Sequence, residues 1–367
     1  MKYEYWFAAI ENLSDQKKIL LKEAGLSGQD IYYIEEKELC HIADMTQTDV
    51  DAIENSRKKW KLDEKYKELC DANIQLITFE METYPSKLKF IFHPPYALFI
   101  KGNLPTPNVP AIAIVGARKC TPYGEKCAIE FATKLSAAGA EIISGLAFGI
   151  DGMGQRAAVN QDARTFAVLG SGADVCYPRN HIGLYMDILE HDGGIISEQL
   201  PGTKPLGWNF PMRNRIISGL SDVVLVIEAK EKSGSLITAD LAMDQGKEVY
   251  ALPGPVTSMY SQGCNRLIKQ GAGILLTPEE LIEDLTVSAH ISLPKLTNNN
   301  TQNNTEKEIM LESTEKLVYS CVSFDSKNVD TIASQTQLPI LMVINILIGL
   351  ELKGLVRETA KNNYVKI

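Results

Sequence analysis

The sequence predicts an α/β protein built on a Rossmann-like, doubly wound sheet, with a small helical unit before it and a winged helix after it. Three observations carry this. Between Ala111 and Leu285, short continuous apolar runs alternate with helix-like stretches and glycine-rich turns. Before about residue 73, apolar positions recur at helical spacing. Beyond an asparagine-rich tract, residues 311–367 read as three helices followed by a hairpin.

In residues 1–73 the helical spacing runs through Trp6, Phe7 and Ile10, then Ile19, Leu20 and Leu21, then Ile31, Tyr32 and Ile34, with Gly25 and Gly28 at the turns. From Asn73 to Pro110, IQLITF and YALFI are strand-like runs separated by YPSKL and HPP, and read as an extended lead-in to the next unit. The central region opens with AIAIVGA and the helical YGEKCAIEFATKLSAAGA. It continues through EIISG, TFAVLG, IGLYMDILEH, GGIIS, RNRIISGLS, VVLVIEA, SLITADLAMDQG, EVYALPG and CNRLIKQGA. Its strands are continuous apolar runs and do not alternate, as expected of parallel strands covered on both faces. We place this domain at residues 74–285. Residues 286–310, with TNNNTQNNTEKE, lose periodicity and are expected to be a linker. In the winged helix the third helix, Leu338 to Leu350, carries Asn345 as its polar residue. A groove-reading helix needs Arg, Lys, Asn or Gln to reach base edges, so this module is expected to pack on a protein or on its own Rossmann domain.

Composition narrows the function. The 367 residues are 45% hydrophobic and 23% charged, with a net charge of −9 that argues against coating duplex DNA through an overall field. No apolar run approaches the roughly 18 residues of a membrane span, and MKYEYWFAAIENL has no export-signal pattern. Seven cysteines form no CxxC pair and five histidines no ligand cluster. The expectation is a cytoplasmic protein without a structural metal, a disulfide frame or a cofactor.

In a doubly wound sheet, ligands bind outside the carboxyl ends of the strands, where turns and helix N-termini present free N–H groups. Four segments fall there: Gly116-Ala117-Arg118-Lys119; Gly145 to Gly152, including Gly149; Gly170-Ser171-Gly172, leading to Tyr177-Pro178-Arg179-Asn180; and Ser233-Gly234-Ser235. Each glycine alone could simply make a tight turn. Together they favour an anion site. A G-x-G-x-x-G fingerprint is missing after the first strand, as are a Walker A motif, a G-x-S-x-G elbow and an H-E-x-x-H helix.

The stretch Gln199 to Ser221 is the most informative. It contains no acid, although the chain has 46, and it interleaves Lys204, Arg213 and Arg215 with Trp208 and Phe210. Prolines 201, 205 and 211 stiffen what reads as a loop. Cations for phosphates beside aromatic faces for bases are what gripping a single strand requires. The bland reading is that the aromatics plug the core while Arg213 or Arg215 caps carbonyls or pairs with Glu198. Asp151 and Glu198 could do acid–base chemistry, or could cap backbone amides.

These residues carry a resemblance. IAIVGAR, SGLAFGIDGMGQRAA, LGSGADVCYPRN, GGIISEQLPGTKPLGWNFPMRNRIISGLSDVVLVIEA, SGSLITADLAMDQGKEVYALPG and GCNRLIKQGA, in unbroken order, resemble the DprA/Smf family of DNA-processing proteins. The resemblance implies an extended Rossmann fold flanked by a SAM-like N-terminal domain and a winged helix. It implies a homodimer that binds single-stranded DNA and loads RecA recombinase during natural transformation, without catalytic activity. By position, Arg118 matches the family's arginine after the first strand. Lys204, Phe210, Arg213 and Asn214 fall in its FPxRNR loop region, and Ser233, Gly234 and Ser235 in its SGS turn. The alternatives are a nucleotide hydrolase akin to phosphoribohydrolases, using Glu198 or Asp151, and a winged-helix transcription factor with a sensor domain.

Overall fold

A computed structural model describes residues 1–42, 45–287, 312–323 and 326–366, so most of the expected linker lies outside the described residues. The described residues divide into two compact units, the larger holding the main sheet and the smaller the C-terminal segment.

The larger unit is organised by nine strands: β1 (Gln75–Thr78), β2 (Ala97–Gly102), β3 (Ala111–Val115), β4 (Glu141–Ser144), β5 (Thr165–Leu169), β6 (Gly194–Ser197), β7 (Val223–Val226), β8 (Glu248–Ala251) and β9 (Gly273–Ile274). Their order is β1-β2-β6-β5-β4-β3-β7-β8-β9. From β6 to β9 every pairing is parallel. Strands β3 to β7 are buried along their whole length, which is why they read as unbroken apolar runs. The lead-in is itself sheet: β2 pairs antiparallel with β6, and β1 antiparallel with β2. The architecture is therefore α/β with a mostly parallel sheet.

The chain winds outward from β3 through β4 and β5 to β6, then returns to lay β7 against the other side of β3. Ile112 of β3 is thus in register with both Ile142 of β4 and Val223 of β7. The crevice at the carboxyl ends of β3 and β7 is the topological switch point, where open α/β sheets bind ligands.

The N-terminal helices share a core with the sheet. Trp6, Phe7, Leu21, Ile31 and Ile53 are fully buried and cluster with Tyr96 and Phe99 of the β2 region. Ring pairs tie the two together, Phe7 to Tyr96 at 5.2 Å and Tyr5 to Phe99 at 5.8 Å, both edge-on. The Glu4 carboxylate accepts from Lys22 Nζ (2.9 Å), the Gly28 amide (2.7 Å) and the Tyr96 hydroxyl (2.9 Å). Burial alone would raise the Glu4 pKa, but these donors hold it below the ordinary carboxylate value.

The smaller unit has helices Ser313–Cys321, Val329–Thr336 and Ile340–Leu352, with a three-stranded sheet of β10 (Lys327–Asn328), β11 (Val356–Ala360) and β12 (Asn363–Lys366) in the order β10-β12-β11. This is a winged helix. Asn362 turns the hairpin at φ +61°, a conformation its short polar side chain tolerates. The third helix buries Val343, Leu347 and Leu350 and exposes Leu341, Ile348 and Leu352. It carries no Lys or Arg.

Because Phe99 joins helices to sheet, Phe99→Ala is expected to cost about 3–5 kcal/mol in denaturant unfolding. Circular dichroism across a urea titration checks this; a loss below about 1 kcal/mol contradicts the shared core.

Candidate nucleic-acid interface

At the switch point lies an open cavity of about 670 Å³. Residues 116–119 after β3, Ala147 and Asp151 after β4, Tyr177 after β5, and Lys230 and Lys232 to Ser235 after β7 form its walls. One side comes from the helix Asn209–Leu220, whose Phe210, Arg213, Asn214 and Ile217 all face it. Spacing of three, four and seven residues places these four side chains on one helical face.

The acid-free stretch is therefore only partly a loop. It turns from residue 199 to Trp208 and then becomes helix, so the FPxRNR segment predicted as loop forms the first two helical turns. Pro211 does not break them, because a first-turn residue has no intrahelical N–H bond to lose.

The predicted cations separate into two groups. Arg118, Lys119 and Lys204 are exposed. Arg213 and Arg215 are buried, and as surface cations both are corrected. Nη1 of Arg213 donates to Gly145 O (2.9 Å) and to Val168 O, and Nε donates to Asn214 Oδ1 (3.2 Å). Burial lowers its pKa to about 10, opposed by the Asp151 carboxylate and assisted by the Arg118 charge. Arg215 forms a two-pronged ion pair with Glu198 (2.6 and 3.1 Å) and donates to the carbonyls of His93 and Met212 (both 2.9 Å). Sequence shows that an arginine is charged. It does not show whether carbonyls already surround it.

Phe210 is half-buried and its ring stays at the cavity. Tyr177, 41% exposed, lies 5.5 Å from it at an interplanar angle of 42°. The Arg118 guanidinium sits 5.5 Å from its centroid, and Arg213 lies 6.0 Å away. Gly170 lies beneath: a Cβ there would stand 3.2 Å from the Phe210 ring. Ser171 is buried, its Oγ donating to Val175 O (2.8 Å), and the Gly172 amide donates to Thr203 O (2.9 Å). The segment 170–172 thus packs beneath Phe210 and against the turn at Thr203, and does not line the cavity. Gly145 is packed against the Arg213 guanidinium, where a Cβ would come within 2.5 Å of Nη1. Gly149 has φ +73°, and a Cβ would meet Ala117 O at 2.3 Å, so a side chain would push the 117–118 turn away.

The SGS turn opens the helix Gly234–Asp244 onto the cavity. The Ser233 and Ser235 hydroxyls bond each other (2.8 Å), Asn214 Nδ2 donates to Gly234 O (3.3 Å), and no side chain caps the helix. Its first amides, with the positive end of the helix dipole, suit an anion. Sequence reasoning named Tyr177 only as a flank and missed Lys230 and Lys232, which are exposed beside this turn. Their signal was two lysines just ahead of SGS. Among the described residues, Arg118, Lys119, Lys204, Lys230 and Lys232 form no ion pair.

The one acid lining the cavity is Asp151, itself buried. Burial raises its pKa, while Arg213 and the amides of Gly145 and Gly116 pull it back. With Glu198 locked to Arg215, the two carboxylates form no open acid–base pair.

Comparison with known proteins finds relatives in both sequence and structure. Residues 75–286 match the family described as DNA recombination-mediator protein A, and residues 303–360 match the DprA winged helix domain. The chain is 39% identical to Protein Smf of Escherichia coli over 80% of its own length and 78% of that protein's. It is 36% identical to DNA processing protein DprA of Streptococcus pneumoniae over 72% and 95% of the respective chains. A solved structure of the Streptococcus pneumoniae protein superposes with a TM-score of 0.68 at 32% identity, covering 77% of this chain and 98% of that one. DNA processing protein A from Helicobacter pylori, whose structure was described for its single-stranded DNA binding mode, superposes with a TM-score of 0.51 at 32% identity, over 58% and 97%.

Arg213→Met would leave the Asp151 carboxylate buried without its countercharge. The expected cost is about 3–5 kcal/mol of unfolding free energy at neutral pH. Burial already raises the Asp151 pKa, and losing the guanidinium pushes it higher still. The cost should therefore shrink as pH falls and Asp151 takes up a proton. Equal losses at pH 5 and pH 8 in urea titrations contradict this pairing.

Proposed function

The chain belongs to the DNA recombination-mediator protein A (DprA/Smf) family, and from that membership and the cavity's chemistry we propose that it grips single-stranded DNA at the switch point. Phosphates meet Arg118, Lys119, Lys204, Lys230, Lys232 and the free amides of the SGS turn. Bases stack on Phe210 and Tyr177. Arg213, Gly145 and Gly170 hold Phe210 in place without touching the strand, and Arg215 with Glu198 holds the helix. The observation that carries this reading is a half-exposed aromatic pair in a cavity lined by four exposed cations, Arg118, Lys119, Lys230 and Lys232, with no accessible acid lining it.

The reading makes the protein a binder: of its two candidate carboxylates, Glu198 is paired with Arg215 and Asp151 is buried and accepts from the Gly145 amide. It takes the chain as a helical segment 1–73, a Rossmann-like segment 74–285, a linker 286–310 and a winged helix 311–367. We extend it by proposing that a cytoplasmic homodimer protects incoming strands and delivers them to the RecA recombinase during natural transformation. That extension rests on family membership. A strand stacked on aromatics and held through its backbone is bound without sequence choice, as a general mediator requires.

Filter binding to single-stranded and duplex oligonucleotides of one sequence tests the proposal. Single strands are expected to bind more tightly. Roughly four phosphate contacts should make log K fall with log[salt] at a slope near −3. Arg118→Ala should weaken all sequences and flatten that slope. Phe210→Ala should cost about 1–3 kcal/mol with the slope kept. Equal affinity for duplex, or affinity independent of salt, contradicts the proposal.

A further inference from the structure

Opposite the cavity, the same helix presents a second aromatic surface. Helical rotation of about 100° per residue puts Met212 and Arg215 on the face away from Phe210, Arg213 and Asn214. Trp208, the N-cap with helical backbone angles, continues that far face. It is 69% exposed and does not line the cavity. The Arg215 guanidinium clasps the turn around His93 to this side, bonding the carbonyls of His93 and Met212 together. In that turn Phe92 is 78% exposed, with its ring 4.0 Å from the His93 ring. His93 is also held by the Gln16 side-chain amide at 2.9 Å. The turn therefore presents its aromatics from a fixed support.

An exposed tryptophan and an exposed phenylalanine, on two segments that Arg215 fastens together, need an occupant. The surroundings favour a nucleic-acid strand. Gly207 and Phe210, on either side of Trp208 in the chain, line the cavity, and residues 199–221 contain no acid. Glu198, just ahead of this stretch, is neutralised by Arg215. Building on the reading that the cavity holds single-stranded DNA, we infer that a strand leaving it crosses the N-terminal turn of the helix Asn209–Leu220 and stacks further bases on Trp208 and Phe92. The chain then holds a longer stretch of strand than the cavity alone accommodates, and Lys204, on the preceding turn, meets the connecting phosphates.

Length dependence tests this. Fluorescence anisotropy would compare oligothymidylates of about 4 and about 12 nucleotides, lengths spanning the range of single-strand sites. The full-length F92A/W208A double variant should bind the short oligomer as the wild type does. It should bind the long one roughly 5- to 100-fold more weakly, the loss expected for missing base stacking. Both side chains are exposed, so its thermal midpoint should be unchanged. Unchanged affinity for the long oligomer, while Phe210→Ala weakens both lengths, overturns the inference and leaves the cavity reading standing. So does an equal loss at both lengths, or unchanged binding accompanied by lost self-association, which assigns the surface to a second copy of the chain. If Phe210→Ala weakens neither length, the cavity reading itself fails and the inference falls with it.

Discussion

The exposed groups of the switch point are held in place by a group that is itself buried, the Arg213 guanidinium. It joins the N-terminal turns of one helix to carbonyls at the ends of β4 and β5 and faces the Asp151 carboxylate. Desolvating such a charge is expensive unless its donors are matched by acceptors, and here the Gly145 and Val168 carbonyls and the Asn214 side chain accept its hydrogen bonds, with the Asp151 charge opposing the loss of its proton. With the helix so fixed, Phe210 stands over Gly170 and beside Tyr177. Arg215 performs the same task on the opposite face through Glu198 and His93. Two arginines that look like ligand contacts are the fastenings of a surface on which the proposed strand contacts fall to other residues.

That division resolves the conflict between an acidic chain and a polyanionic ligand. A net charge of −9 describes the whole sequence, whereas attraction over a few ångströms depends on charge within a Debye length of about 8–10 Å. The cavity's accessible charges are all positive, and its single acid is buried and drawn toward protonation. The uncapped helix at Gly234 adds to the same field without adding a formal charge.

Much of the fold was legible because parallel strands covered on both faces must be apolar throughout. AIAIV and TFAVL therefore announced β3 and β5 directly. The lead-in was read as extended, but its antiparallel pairing to β6 was not, because a strand's partner lies far off in sequence: Phe99 pairs with Ser197. At the site, residue types were legible and burial was not. Pro211 suggested a stiffened loop, although proline is equally at home in a first helical turn. The sequence left open whether Arg215 is a free cation or a partner of Glu198, and only the fold, which brings Glu198 to 2.6 Å, decides for the pair. Lys230 and Lys232 were passed over because Glu231 between them hides the basic character of a strand-end loop.

The central claim is that a single strand lies at the switch point of the Rossmann-like sheet and not on the winged helix. Photo-cross-linking with a 4-thiothymidine oligonucleotide, followed by mass spectrometry of the modified peptides, measures this directly. The account predicts adducts within 117–119, at Tyr177, within 204–214 and within 230–235. Adducts confined to residues 312–366, with the switch-point peptides unmodified, would contradict it.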